Sequence, residues 1–394
     1  MKISLKNNHI SKLFVIILSI TVVSIIYILM PVTSVFYTNV SEKDLKSQIE
    51  TLYNIRNSAL VTGDLNSIKP TFDTKQKYGE WSLEHEVRRI KYLRDWSKQR
   101  GVKFVNIESF IRIKRIYNKG GNVRLALEES YKFDYINPKD PVYIINSFGV
   151  GIRHTLTLIK KGENNVIYSD WYTDCFEDAM GSYSGEIENS AVFSDYEKST
   201  EMYIEKKALS KSSYNRAKAV EYADKYCGVA WGSLNDFKYN KKYNDYNGLG
   251  GDCTNYTSQV LGDTEAGGLS QNGEWHSSGS KNAQKFGSRA WVNVDGLKNY
   301  LLYSGRGSQI KKGTFKELTL PTSDYPKGII SKLKPGDLIC YEKKGNPDHF
   351  GIITGFDSQG YPLINTHTTD RYHVPWDLGW SDNKIKFILI HING

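Results

Sequence analysis

The residues with the types and order that nucleophilic chemistry needs lie in the last third of this 394-residue chain. Cys253 sits in "GGDCTNYTSQVL", residues 250–261, where two glycines and Asp252 precede a run that reads as helix. A thiol attacks carbonyls well only as thiolate, so it needs a cause that lowers its pKa. The positive end of a helix, with its unpaired N–H groups, is such a cause. Asp252 can cap that end, and the same N–H groups could receive an oxyanion. On the inner helix face with Tyr256, Thr257, Val260 and Leu261, the same cysteine would instead be an inert core thiol. The local sequence leaves both readings open.

A partner for the thiol stands further on. "DLICYE" and "HFGIITGF" read as consecutive strands, and His349 opens the second. "PLINTHT", residues 362–368, reads as the next strand and carries Asn365 and His367, two apart and so on one face. A cysteine at a helix start, a histidine on a strand and a polar residue on the following strand is the arrangement of papain-type hydrolases.

The stretches "YNRAKAVEYADKYC", "NKKYNDYNGLGGDCTNYTSQVL", "GSRAWVNVDGLKNYLL", "KPGDLI" and "DHFGIITGF…LINTHTTD" occur in that order between residues 213 and 394. Together they resemble the putative amidase domain family, a branch near the NlpC-like cell-wall cysteine peptidases of the papain fold. The resemblance implies Cys253 as nucleophile and His349 as its base. It implies His367 as the residue orienting that base, with Asn365 as second choice. The long interval between Cys253 and His349 implies an insertion over residues 265–330 bordering the cleft. Tyr243 and Tyr246, upstream of Asp252, are candidates to line that cleft, with simple packing as the alternative. Strand pairing sets a condition on the orienter. A symmetric four-residue turn at residues 357–360 would pair His349 with Thr368 and point His367 away. The triad therefore requires a three- or five-residue connection or a bulge, and an odd register is expected.

Other constellations are weaker. His367, Asp370 and His373 lack a further strong donor nearby, and no metal site is expected. "EHEVRR", residues 84–89, has no second histidine of a zincin helix, so His85 reads as surface. "GSYSG", residues 181–185, has Tyr183 where a nucleophile elbow needs serine. Cys227 and Cys340 read as core, since small buried cysteines behave as hydrophobes. Four widely spaced cysteines are too few for a disulfide scaffold, and free thiols are expected.

The elements that must position these groups follow from pattern and composition. With 39% hydrophobic and 24% charged residues, the body of the chain is folded rather than disordered. Its start differs. Lys2, Lys6 and Lys12 precede a stretch without charge from Leu13 to Ser41. That is long enough to cross a bilayer, and lysines before it orient the remainder outside the cytoplasm. Val32 and Ser34 could serve as the small residues of a cleavage site, which would make the protein secreted. Residues 41–177 pass from amphipathic helices to β-branched alternating runs, an α+β domain with a curved antiparallel sheet. This layout resembles, by arrangement, the cone-shaped fold named after nuclear transport factor two. Residues 178–212 have linker composition. The net charge of +9 suits attraction to an anionic envelope polymer. Neither a basic stripe interleaved with aromatics nor a Gly-rich nucleotide loop supports nucleic-acid binding.

The expected fold class is thus α+β. It comprises a transmembrane anchor over 1–40, a cone-like domain over 41–177, a linker over 178–212 and a papain-like domain over 213–394. The expected function is a membrane-anchored, extracytoplasmic cysteine amidase or peptidase that needs no cofactor and acts on peptide or cell-wall amide bonds through a thioacyl intermediate. The alternatives are a non-catalytic recognition or assembly module of the same fold, and an acyltransferase.

Overall fold

The computed structural model describes residues 41–119, 122–187, 213–278, 287–382 and 384–394. Two long helices come first, α1 (Glu42–Thr62) and α2 (Lys77–Arg100). Leu83, Val87, Ile90, Leu93 and Trp96 recur at helical spacing and form the buried stripe of α2. Gly101, at φ 68°, ends the helix in the left-handed conformation that glycine adopts without a Cβ clash. Four antiparallel strands follow: β1 (Lys103–Lys119), β2 (Asn122–Ile136), β3 (Asn146–Lys161) and β4 (Asn164–Tyr172), with a one-turn helix, α3 (Glu177–Met180), behind them. The inward residues of this meander, Leu125, Leu127, Phe133, Phe148 and Leu156 among them, form one core with the stripes of α1 and α2.

Within that core lies a network of buried charge. Arg56 meets Glu129 at 2.5 Å and Glu86 at 3.4 Å, and Arg89 meets Asp174 at 3.3 Å. His154 holds Glu129 at 3.1 Å on Nε2 and Asp170 at 2.9 Å on Nδ1. Burial works against a charged imidazole, but Asp170 and Glu129 outweigh it and raise His154 to about 9. His85 joins the network through Asp174 at 3.4 Å, so it is a half-buried ion partner rather than a surface residue.

The second half contains α4 (Arg216–Lys225), α5 (Cys253–Gly262), α6 (Arg289–Val292), α7 (Val294–Tyr303) and α8 (Phe315–Thr319). Its strands are β5 (Gly307–Gly313), β6 (Leu338–Lys343), β7 (Asn346–Phe356), β8 (Pro362–Thr366), β9 (Asp370–Pro375) and β10 (Ile385–Ile392). Successive strand residues serve opposite faces. Leu338, Cys340, Phe350 and Ile352 pack with Tyr256, Val260, Leu297 and Leu301 of α5 and α7 on one side. Ile339, Tyr341, Ile353 and Ile364 pack with Trp376, Trp380 and Phe387 on the other.

These observations correct the expected fold class. The protein is a mixed α/β structure with one large antiparallel sheet, in place of two α+β domains with a sheet each. The strand order is β1-β2-β3-β9-β8-β7-β6-β10-β5, with β4 also on β3. The junction is β3 with β9, where Gly149, Val150 and Gly151 face Tyr372, Arg371 and Asp370. Two glycines make it possible: a Cβ on Gly149 would stand 2.0 Å from Trp231 O, and one on Gly151 would stand 2.5 Å from Ala230 N. No helix among the described residues is long and apolar enough to cross a membrane, so the anchor in the expected fold class is unsupported. Residues 1–40, where it is expected, lie outside the described residues, as does most of the expected linker, residues 188–212.

Candidate active site

Cys253 is the first residue of α5, at the helix start its sequence suggests. The cap is not the expected one. Asp252 makes no side-chain cap; the amides of Asp252 and Cys253 both donate to Thr368 Oγ1, at 2.8 and 3.2 Å. Asp252 looks elsewhere. Its Oδ1 accepts from the Tyr246 amide at 3.0 Å and from Asn255 Nδ2 at 2.9 Å, and its Oδ2 lies 2.6 Å from His367 Nδ1. The expected oxyanion donors are therefore engaged at rest.

The helix start does not make Cys253 a thiolate. Burial pushes the thiol above its ordinary value and Asp252 adds to the rise, while the Phe350 amide and the Thr254 hydroxyl pull against it. Desolvation wins because the side chain is only 6% exposed. The amide directed at Sγ belongs to Phe350, the residue after His349, whose side chain points to the opposite face of β7.

His349 lies on the sheet face of Tyr341 and Trp380, with ring centroids 5.9 and 5.5 Å away. Burial, aided by the Arg371 guanidinium, pushes its pKa down to about 3. Its Nε2 is 2.8 Å from Thr366 Oγ1. That hydroxyl has one proton and lies 2.7 Å from Phe350 O, which can only accept. Thr366 therefore accepts from His349, whose neutral ring carries its proton on Nε2 and leaves Nδ1 as a lone pair. No hydrogen bond joins Cys253 to His349, and no described residue bonds Nδ1.

Neither expected orienter meets His349, and the pairing of β7 with β8 explains why. Residues 357–361 make a five-residue connection, so Phe356 faces Pro362 and Gly355 faces Leu363. Continued, that odd register would bring His367 to the side of His349. A bulge at Thr354 shifts it by one, and Ile353 then faces Ile364 and Ile352 faces Asn365. Connection and bulge cancel, and Thr366 rather than His367 reaches the base. His367 instead stacks between Tyr256 and Tyr239, at centroid distances of 3.7 and 4.0 Å, and lies 2.7 Å from Tyr226 O. It fastens the start of α5 through Asp252. Asn365 donates to Asp224 at 2.8 Å and accepts from Thr354 and the His373 amide.

The remaining candidates have structural partners. Tyr243 donates to Asp263 at 2.5 Å, at the far end of α5 from Cys253, and stacks on Trp291. Tyr246 is buried; its amide donates to Asp252 and its carbonyl accepts from the Gly251 amide. Residues expected to form a cleft insertion are integral instead: Trp291 donates to Asn255 at 2.9 Å and Trp275 to Ser258 at 3.0 Å, both on α5. His373 bonds Asp224, whereas Asp370 takes Tyr239, Arg153 and the Val229 amide. All four cysteines are buried free thiols. Thr366 and Thr368 were missed because threonine on a strand reads as β-propensity; only the paired register singles them out.

Cys253, on α5, lies on the sheet face of Cys340 and Phe350, whereas His349 lies on the opposite face with Tyr341 and Trp380, so the structure does not bring thiol and imidazole into contact; the class of the second half comes from comparison with known proteins. The model of the family described as Putative amidase domain matches residues 213–390, a little under half of the chain. No curated protein matches the chain. Two solved structures are similar at a TM-score of 0.23. The intermembrane space region of the chloroplast protein ARC6 is 8% identical over 34% of this chain and 97% of its own. A putative dehydratase of the NTF2-like family from Streptomyces avermitilis is 12% identical with the same coverage.

Proposed function

We propose that the second half hydrolyses amide bonds of peptides through Cys253, with His349 as general base and Thr366 as the residue that positions it. The observation that carries this reading is the family match over residues 213–390; the Thr366 hydroxyl adds the Nε2–H tautomer, which leaves Nδ1 able to take a proton once the imidazole reaches the thiol's face of the sheet. The resting pair is neutral on both sides, so proton transfer accompanies attack rather than preceding it. As Sγ bonds the carbonyl carbon, its proton passes to Nδ1 and the π pair moves onto oxygen. Collapse breaks the C–N bond, and the amine leaves with the proton from His349. Water then gives its proton to the same nitrogen and cleaves the thioester, which restores the thiol. Peptide stems of cell-wall polymers are the proposed substrates, a choice supported by the family and by the net charge of +9 against an anionic polymer.

Turnover of purified wall muropeptides by the full chain and by Cys253→Ala, read by product mass, tests the proposal. Loss of product in the variant is expected; equal turnover refutes it. One observation favours a second reading, a recognition module: the thiol is raised by burial and makes no hydrogen bond to His349. Muropeptide binding by wild type without any product is the outcome that reading requires.

A further inference from the structure

We propose that the Thr368 side chain is the oxyanion donor of this site, a role that rests on Cys253 being the nucleophile. One usual member of an oxyanion hole, the nucleophile's own N–H at the start of its helix, is occupied here. Thr368 Oγ1 accepts from the Asp252 amide at 2.8 Å and from the Cys253 amide at 3.2 Å. A hydroxyl oxygen has two lone pairs, and both are now engaged. Its proton remains, and no described residue accepts it. Thr368 is an exposed residue next to buried His367, and its hydroxyl hydrogen is free to turn away from the two amides that donate to Oγ1.

Two amides donating to one hydroxyl make it a stronger donor, because bonds in a chain polarise one another. The partial positive charge of the helix end is thereby passed through Oγ1–H to the substrate side, where charge develops as Sγ adds to the carbonyl. The local backbone is built around this contact. Thr368 has φ 80°, a left-handed conformation that a β-branched residue avoids. Such a conformation persists only where its surroundings impose it, and such residues cluster at functional sites. Gly251, at φ 126°, leaves room for the hydroxyl: a Cβ there would stand 3.0 Å from Oγ1.

In the addition step the C–S bond forms, the carbonyl π pair becomes the oxyanion, and the thiol proton goes to His349 Nδ1. Thr368 keeps its proton throughout and shares it with the oxyanion as a hydrogen bond.

The test uses the full chain, the muropeptide assay and a peptide aldehyde, which adds to a thiol to give a tetrahedral oxyanion-like adduct. Thr368→Val keeps the shape and removes the donor. It should lower kcat by about 100-fold with KM within about threefold, and weaken the aldehyde far more than the matching peptide alcohol. Thr368→Ser should restore both. Thr368→Gly relieves the backbone strain without supplying a hydroxyl, and should remain as slow as the valine variant. Recovery in Thr368→Gly would make the residue structural and overturn the proposal. So would wild-type kcat and aldehyde affinity in Thr368→Val while Cys253→Ala is inactive, an outcome that leaves the nucleophile standing. Turnover retained in Cys253→Ala, or absent from wild type, overturns the underlying reading together with this one.

Discussion

Replacing Thr366 by valine isolates the link between the base and its support. The side chain keeps its shape and burial, but His349 Nε2–H loses its acceptor at 2.8 Å and Phe350 O its donor at 2.7 Å. A buried polar group left unpaired costs about 1–3 kcal/mol, so with two such groups the unfolding free energy should fall by roughly 3 kcal/mol. Activity should fall independently of stability. Without an acceptor at Nε2 the proton can reside on Nδ1, and that tautomer is no base toward Cys253. General acid–base catalysis contributes about 10²–10⁴-fold, so a loss of about 100-fold in kcat/KM, equivalent to ~2.7 kcal/mol, is the conservative expectation. Urea unfolding reads the first effect and muropeptide turnover below the unfolding transition reads the second. Thr366→Ser, which retains the hydroxyl, should recover most of both. Wild-type kcat/KM within threefold in Thr366→Val would show that His349 is not held by this bond, and would sink the tautomer reasoning.

Two further expectations concern stability. His154, raised to about 9 from an unfolded value near 6.5, contributes stability that is complete below pH 6.5 and lost as pH rises through 9. That is roughly 3 kcal/mol; urea midpoints for wild type and His154→Gln should converge between pH 6.5 and 10, and parallel curves would refute the assignment. Arg100 ties α2 to the second half, with Nε 2.8 Å from Asp377 and Nη2 2.8 Å from Asp382. Arg100→Met strands a buried carboxylate and should destabilise the protein by about 3 kcal/mol in denaturant unfolding while muropeptide kcat stays unchanged; an unchanged midpoint would contradict the burial argument.

The strands of the first half are legible in the sequence because their apolar residues alternate and Gly, Asn and Pro punctuate them. The helix beginning at Cys253 is legible because glycines stop whatever precedes it. The identity of the residue on His349 was not, because a five-residue connection and a bulge at Thr354 cancel, and only one of them is visible as loop length. The charge network of Arg56, Glu86, Arg89, Glu129 and His154 was not legible either. Such residues usually lie in water, and burying them is favourable only when every charge finds a partner, a condition met by strands and helices far apart in the chain. The joining of the strands into one sheet is hidden from the sequence for a related reason. Gly149 and Gly151 mark the place where the backbone of residues 229–231 crosses at close range, a contact that no pattern within the strand itself announces.

That seam bears on how the protein can be handled. In the intact chain the backbone of β9 is satisfied by β3, and Asp370 at the junction also receives the Val229 amide and Arg153. A fragment beginning at residue 213 would expose residues 370–372 of this strand as an edge, with the N–H and C=O groups that β3 pairs in the full chain left open. Such an edge recruits whatever strand is nearest, including that of a second copy. The first half therefore acts as an edge guard for the hydrolase half, and trimming the chain to its family-matched residues should trade a monodisperse protein for an aggregating one.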